Sequence, residues 1–100
     1  YFVSHILQFT FHKALCDAAG NERPLHRCDV FGSAEAGQVF TDMMESGSAE
    51  LWPDVLERMT GSRRMNAAAL NEYFEPLRVW LEEQNKDENV GWDDSCPNNF

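Results

Sequence analysis

Tyr1-Phe-Val-Ser-His-Ile-Leu-Gln-Phe-Thr-Phe-His-Lys-Ala-Leu-Cys-Asp-Ala-Ala-Gly20 is the stretch on which the fold turns. Its apolar residues, Tyr1, Phe2, Val3, Ile6, Leu7, Phe9, Phe11, Ala14, Leu15, Ala18 and Ala19, recur at helical steps, and Gly20 is a natural stop. The pattern predicts one long helix over 1–19. Its first two turns are apolar nearly all the way round, and a helix without a polar face belongs inside a larger body. No capping residue precedes Tyr1 and no Met opens the chain. The expectation is therefore a helix, and a protein, that continue upstream.

Outward from this helix the punctuation is local. Residues 20–32 mix Gly, Pro and charge without a period and read as a connecting loop. Ser33 is an N-cap candidate for a second helix that runs to about Ser46 and stops at Gly47, with Val39, Phe40, Met43 and Met44 as its buried stripe. Pro53 opens a third helix of at most two turns that carries Val55, Leu56 and Met59 inward and closes at Gly61. Asn66 can cap a fourth, through Ala67 to Phe74, and Pro76 predicts a kink or short break before Leu77, Trp80 and Leu81 resume the spacing. Residues 82–89 turn polar and exposed, and 93–100 read as a loose polar tail. No strand or repeat is evident, so the fold class is all-α.

Composition narrows the function. With 8 basic and 17 acidic residues the formal charge is -9, which repels phosphate backbones and anionic lipid. Nucleic acid is thus excluded as a partner. The apolar start is broken by Ser4, His5, Gln8 and Thr10, short of the ~20 residues a membrane-spanning helix needs. It also lacks the layout of a signal peptide. At 100 residues and 43% hydrophobic content the chain is one domain or less, burying roughly two-thirds of its extended surface.

Chemistry-bearing residues are few. His12, Cys16, His26 and Cys28 supply nitrogen and sulfur of the kind a tetrahedral zinc site uses, and His12 and Cys16 share a helix face. The single residue between His26 and Cys28 is tighter than usual ligand spacing. A Cys16–Cys28 disulfide, worth ~3 kcal/mol in the chain-entropy model, and free thiols are the other states that the spacing leaves open. Cys96 is left over in the tail. His5, within an apolar helix, reads by itself as a satisfied core histidine. There is no H-E-x-x-H pair, nucleophile elbow, P-loop or EF-hand loop.

The runs Tyr1-Phe-Val-Ser, Leu7-Gln-Phe, Phe11-His-Lys-Ala-Leu-Cys16, Pro24-Leu-His-Arg-Cys28-Asp, Gly32-Ser-Ala-Glu-Ala-Gly37, Trp52-Pro53 and Tyr73-Phe-Glu-Pro-Leu-Arg-Val-Trp-Leu81 stand in collinear order. Over residues 1–92 they resemble the C-terminal part of the angiotensin-converting enzyme family. The resemblance implies a helical fragment of a larger all-helical zinc metallopeptidase domain of the gluzincin type, which removes dipeptides from free peptide C-termini inside a deep channel. Two His and a Glu hold the metal in such enzymes, and a second Glu is the general base. Those four residues lie upstream of Tyr1 in the family. The resemblance thus implies that zinc is a cofactor whose ligands are outside this chain, and that the chain alone is inactive.

It also assigns roles. Tyr1 matches the family's tyrosine, whose phenol donates a hydrogen bond to the oxyanion on the scissile carbonyl. His5 stands where the family usually has Phe, one turn on, facing the pocket for the last substrate residue. Cys16 and Cys28 match the family's bridge, which implies an extracellular protein, secreted or anchored to a membrane through another segment. Partners are peptide substrates and the rest of the peptidase domain. Chloride, bound by upstream residues in many relatives, is a possible further cofactor. The rival reading is a non-catalytic helical interaction module without a metal site, binding a partner through the apolar first helix.

Overall fold

The computed structural model describes residues 1–92 and 95, and among them the architecture is all-α. Helix α1 spans Phe2–Ala18, α2 Ala34–Glu45, α3 Trp52–Thr60 and α4 Ala68–Gln84, with a 3₁₀ turn at Leu25–Arg27. Helix α1 is the hub, packing on α2, α3 and α4, while the 3₁₀ turn packs on α4. Cys96 and most of the 93–100 tail lie outside the described residues.

Local chemistry sets the helix ends. The Ser33 hydroxyl accepts the Ala36 amide at 3.1 Å, capping α2. Gly61 closes α3 at φ 77°, a left-handed conformation that costs a side-chain-bearing residue but not glycine. Helix α3 begins at Trp52, places Pro53 in its first turn and spans nine residues, slightly more than the two turns its sequence predicts. The segment between α1 and α2 is more ordered than a plain loop, because Cys28 N–H donates to Leu25 C=O at 3.2 Å and closes the 3₁₀ turn. Ala67, rather than Asn66, takes the N-cap position of α4, and Asn66 Oδ1 accepts the Ala68 amide at 2.9 Å.

Of the kink or short break expected at Pro76, the break does not occur: α4 runs through it as one helix of seventeen residues. A proline removes one donor and leaves the ladder on both sides intact. Arg78 straps this region, bonding Glu75 through Nε at 2.7 Å and Nη2 at 2.6 Å and also bonding Glu82.

The core is small. Cys16, Leu25 and Ala69 are buried at its centre, with Phe9, Cys28, Val30 and Tyr73 packed around them. Tyr73 of α4 sits edge-on to Phe9 of α1 at 5.1 Å between ring centroids, an arrangement aromatic pairs favour. Cys16 and Cys28 are joined, with an S–S distance of 2.07 Å, so the 3₁₀ turn is tied covalently to the last turn of α1. Lys13 reaches Asp17 at 3.4 Å and Glu72 of α4 at 3.3 Å, a half-exposed pair of contacts of small energetic weight.

Much apolar surface has no cover. The accessible surface is 8175 Å² against ~16,700 Å² for the extended chain, so folding buries about half of it rather than two-thirds, and the chain exposes roughly 2,400 Å² more than a compact monomer of this mass. Phe2 is 79% exposed and Met44 61%. The predicted α2 stripe is therefore not buried: Val39 and Met43 are half-buried, Phe40 and Met44 exposed, and only Ala36 is fully enclosed. Helix α2 has α1 and α3 as neighbours, and two neighbours cannot cover a stripe that wide.

Two outcomes follow from these contacts. Alkylation of the denatured, unreduced protein should leave Cys16 and Cys28 unlabelled and their peptides linked in the mass spectrum; label on either sulfur would exclude the bridge. The Arg78 hydrogen bond holds the Glu75 carboxyl below the 4.5 of a free glutamate. Because the folded value is depressed, the stabilisation is fully present above pH 4.5 and is lost as pH falls through Glu75's own value. An NMR titration should put the Glu75 midpoint below 4.5 and Arg78→Gln should raise it; a midpoint unaffected by the substitution rules out this pairing in solution.

Candidate functional site

Two groups of functional side chains lie at opposite ends of α1. The first is its opening turn. Tyr1 is the N-cap residue and lends no side-chain cap. Its carbonyl accepts the His5 amide at 3.0 Å, the Ser4 hydroxyl at 2.8 Å and the His5 ring at Nδ1 at 2.6 Å. A carbonyl oxygen can only accept, so Nδ1 of His5 carries the proton, and Nε2 of the neutral ring keeps its lone pair. Gln8 Nε2 in turn donates to the His5 carbonyl at 3.1 Å. The i, i+4 spacing puts Tyr1 and His5 on one helix face.

Both residues are exposed, and the Tyr1 side chain fully so, at 103%. His5 is accordingly not the core histidine its apolar surroundings predict. The turn that carries it is exposed as a whole, Tyr1, Phe2 and Val3 with it. The Ser4 contribution was not legible in the sequence, where a hydroxyl inside an apolar run carries no signal of which carbonyl it will meet.

The second group lies around the bridge. His12 Nε2 is 3.5 Å from the Cys16 sulfur and 3.4 Å from the Leu25 carbonyl oxygen. Of the four predicted nitrogen and sulfur ligands, the fold gathers His12, Cys16 and Cys28, whose ligand atoms all lie within 4.8 Å of one another. His26 is exposed, its ring centroid 6.3 Å from that of Tyr73. Tyr73 also meets His12 at 6.3 Å and so joins the bridge to α4. Sequence reasoning saw it only within a matched run, since ring stacking between residues sixty positions apart leaves no local trace.

This second group does not fit the zinc centre that a gluzincin requires. Among the described residues it is the one His, Cys and carboxylate group close enough to share an ion, and it contains no glutamate. Its two sulfurs are bonded to each other, so the thiolates that would bind a cation are absent in this state. The two-His, one-Glu set is not among the described residues. The opening turn of α1 offers instead a phenol donor and an imidazole acceptor, side by side on an exposed apolar surface.

A third surface feature is an apolar groove of about 760 Å³ between α1, α2 and α3, lined by Leu7, Phe11, Met43, Leu51, Trp52 and Val55 among others. No helix of the described chain is long and apolar enough to cross a membrane.

Residues 1–92 match the family model described as angiotensin-converting enzyme. Among similar proteins, an angiotensin-converting enzyme of Theromyzon tessulatum is 54% identical over 84 residues, covering 84% of this chain and 14% of the relative. Angiotensin-converting enzymes of Bos taurus and Mus musculus are each 47% identical over 94 residues, covering 92% of this chain and 7% of the relative. The chain thus spans a small fraction of the length of the relatives it matches.

Proposed function

The chain belongs to the angiotensin-converting enzyme family, and from that premise we propose that it is the C-terminal helical segment of a zinc peptidyl-dipeptidase, supplying one wall of the substrate channel and a donor to the oxyanion. The observation that carries the reading is the opening turn of α1. The chain matches the family over that turn, and the fold sets an exposed phenol and an exposed imidazole on one face of the helix.

In this reading the Tyr1 phenol donates its O–H to the oxygen that gains negative charge as the scissile carbonyl becomes tetrahedral. A donor of this kind acts only once charge has developed, so its effect falls on the transition state more than on substrate binding. His5 lies one turn along and borders the pocket for the last substrate residue. Its Nδ1–H is held by the Tyr1 carbonyl, which fixes the ring and turns Nε2 toward the pocket side as an acceptor, or as a donor once the ring is protonated. An imidazole in place of the usual Phe makes that pocket more polar and favours acidic or polar C-terminal residues.

The remainder belongs to the wider protein. This chain lacks the family's ligand set for zinc, so the metal, the general base and any chloride are supplied from outside the described residues. The exposed apolar faces of α1 and α2 pack on the rest of the peptidase domain, which completes the channel. The isolated segment is inactive. The Cys16–Cys28 bridge supports an oxidising, extracellular setting for the protein, secreted or anchored through another segment.

The test uses the full-length protein and a series of short peptides. Tyr1→Phe, which removes one hydroxyl and no packing, should lower kcat by about 100- to 1,000-fold with little change in KM. An unchanged kcat removes Tyr1 from the chemistry. His5→Phe should shift the relative kcat/KM values across peptides that differ only in their last residue, against acidic ones; equal ratios before and after would show that His5 does not border that pocket.

A further inference from the structure

We propose that the Arg64–Met65 bond, in the link between α3 and α4, is a cleavage site for a trypsin-like serine endopeptidase whose acidic specificity pocket takes the Arg64 guanidinium. Water adds across the bond, leaving a carboxylate on Arg64 and an amino group on Met65, and no other reactant is needed. The inference concerns this chain as a substrate and does not rest on the role assigned to Tyr1.

The backbone of the link is the first support. Helix α3 ends at Thr60, Gly61 turns the chain at φ 77°, and α4 begins at Ala68. Between them Arg63, Arg64, Met65 and Asn66 are all exposed, in the kind of segment where nicking concentrates. An endopeptidase pairs with its substrate as an extended strand, through backbone N–H and C=O groups that must be free to engage it. Among the described residues, 62–66 make no backbone–backbone hydrogen bond. The Arg64 N–H donates to the Ser62 hydroxyl at 3.2 Å, and that hydroxyl donates to the Arg64 carbonyl at 3.3 Å. Releasing one hydroxyl therefore frees the Arg64 backbone, and no helix has to unwind.

The surroundings of the other cations single Arg64 out. Lys13, Arg58, Arg63, Arg78 and Lys86 are each paired with a carboxylate. Arg63 is tied to α3, bonding Asp54 and reaching Glu57 at 3.0 Å, so of the two adjacent arginines the first is engaged and the second is not. Arg23 and Arg27 share with Arg64 the lack of an ion-pair partner among the described residues. The Arg23–Pro24 bond is a poor target, because its nitrogen carries a ring in place of a hydrogen. Arg27 ends the 3₁₀ turn, and the Cys28 N–H that follows it is given to Leu25 C=O at 3.2 Å while its sulfur is bridged to α1, so this bond cannot extend. Lys86 lies outside a helix, but it meets Glu83 at 3.0 Å and is followed by Asp87 and Glu88, carboxylates that an acidic pocket repels. Arg64 joins a free guanidinium to a backbone free to extend. It belongs with Arg63, Asp54 and Glu57 to a charged surface, apart from the apolar faces of α1 and α2 proposed to meet the rest of the domain. Both bridged sulfurs precede the cut, so among the described residues α4 would be held to α1 by noncovalent contacts such as that of Tyr73 with Phe9.

The experiment treats the folded full-length protein with limiting trypsin and reads the new N-termini by sequencing. Within this segment the first to appear should be that of Met65, followed by Asn66 and Ala67. Arg64→Gln should slow this cut by about 100-fold or more, since the pocket's carboxylate loses its charged partner, whereas Arg63→Gln should keep it. The proposal is overturned if the folded protein is not cut at Arg64–Met65, if a cut after Arg27 or Lys86 comes first, if Arg64→Gln leaves the rate unchanged, or if Arg63→Gln abolishes the cut.

Discussion

Helix α1 carries more apolar surface than the other three helices can cover, and the rest of the structure arranges itself around that excess. Where neighbours are available, in its second half, Phe9 and Cys16 find Tyr73, Leu25 and Ala69 and a small core forms. Where none is available, in its first turns, Tyr1, Phe2 and Val3 stand in solvent. Exposed surface of this extent, at roughly 25 cal/mol per Å², is a strong drive toward association. The segment therefore has the physical character of a component.

The start of α2 and the end of α3 were legible in the sequence because each is set by a single residue acting locally. Ser33 caps α2 through its own hydroxyl, and Gly61 closes α3 because a left-handed residue is cheap only without a Cβ. Pro76 predicts a kink or a short break, and of the two the fold excludes the break, since α4 is one helix through it. The stripe on α2 shows a different limit. Periodicity reveals which face is apolar, but whether Phe40 and Met44 are buried depends on how many helices lie beside them, and that number is not written in α2.

The candidate site divides along the same line. The face shared by Tyr1 and His5 follows from helical spacing alone, and the likeness to a peptidase gave that face its meaning. The hydrogen bond from the His5 ring to the Tyr1 carbonyl needed coordinates, as did the meeting of His12, Cys16 and Cys28. Spacing allowed a bridge, a metal or free thiols at that point and could not choose among them. The fold joins the two sulfurs, with His12 Nε2 3.5 Å from that of Cys16.

The bridge and the phenol sit at opposite ends of one rod. Cys16 is anchored by a covalent bond and a packed core, while Tyr1 lies about 22 Å further along the helix axis and is exposed. Such a cantilever magnifies small rotations, and about one degree of tilt at the clamp moves its tip by roughly 0.4 Å. Aim at the tip is thus set by whatever braces the first two turns, and the residues that brace it have as much influence over the phenol's position as the side chain itself.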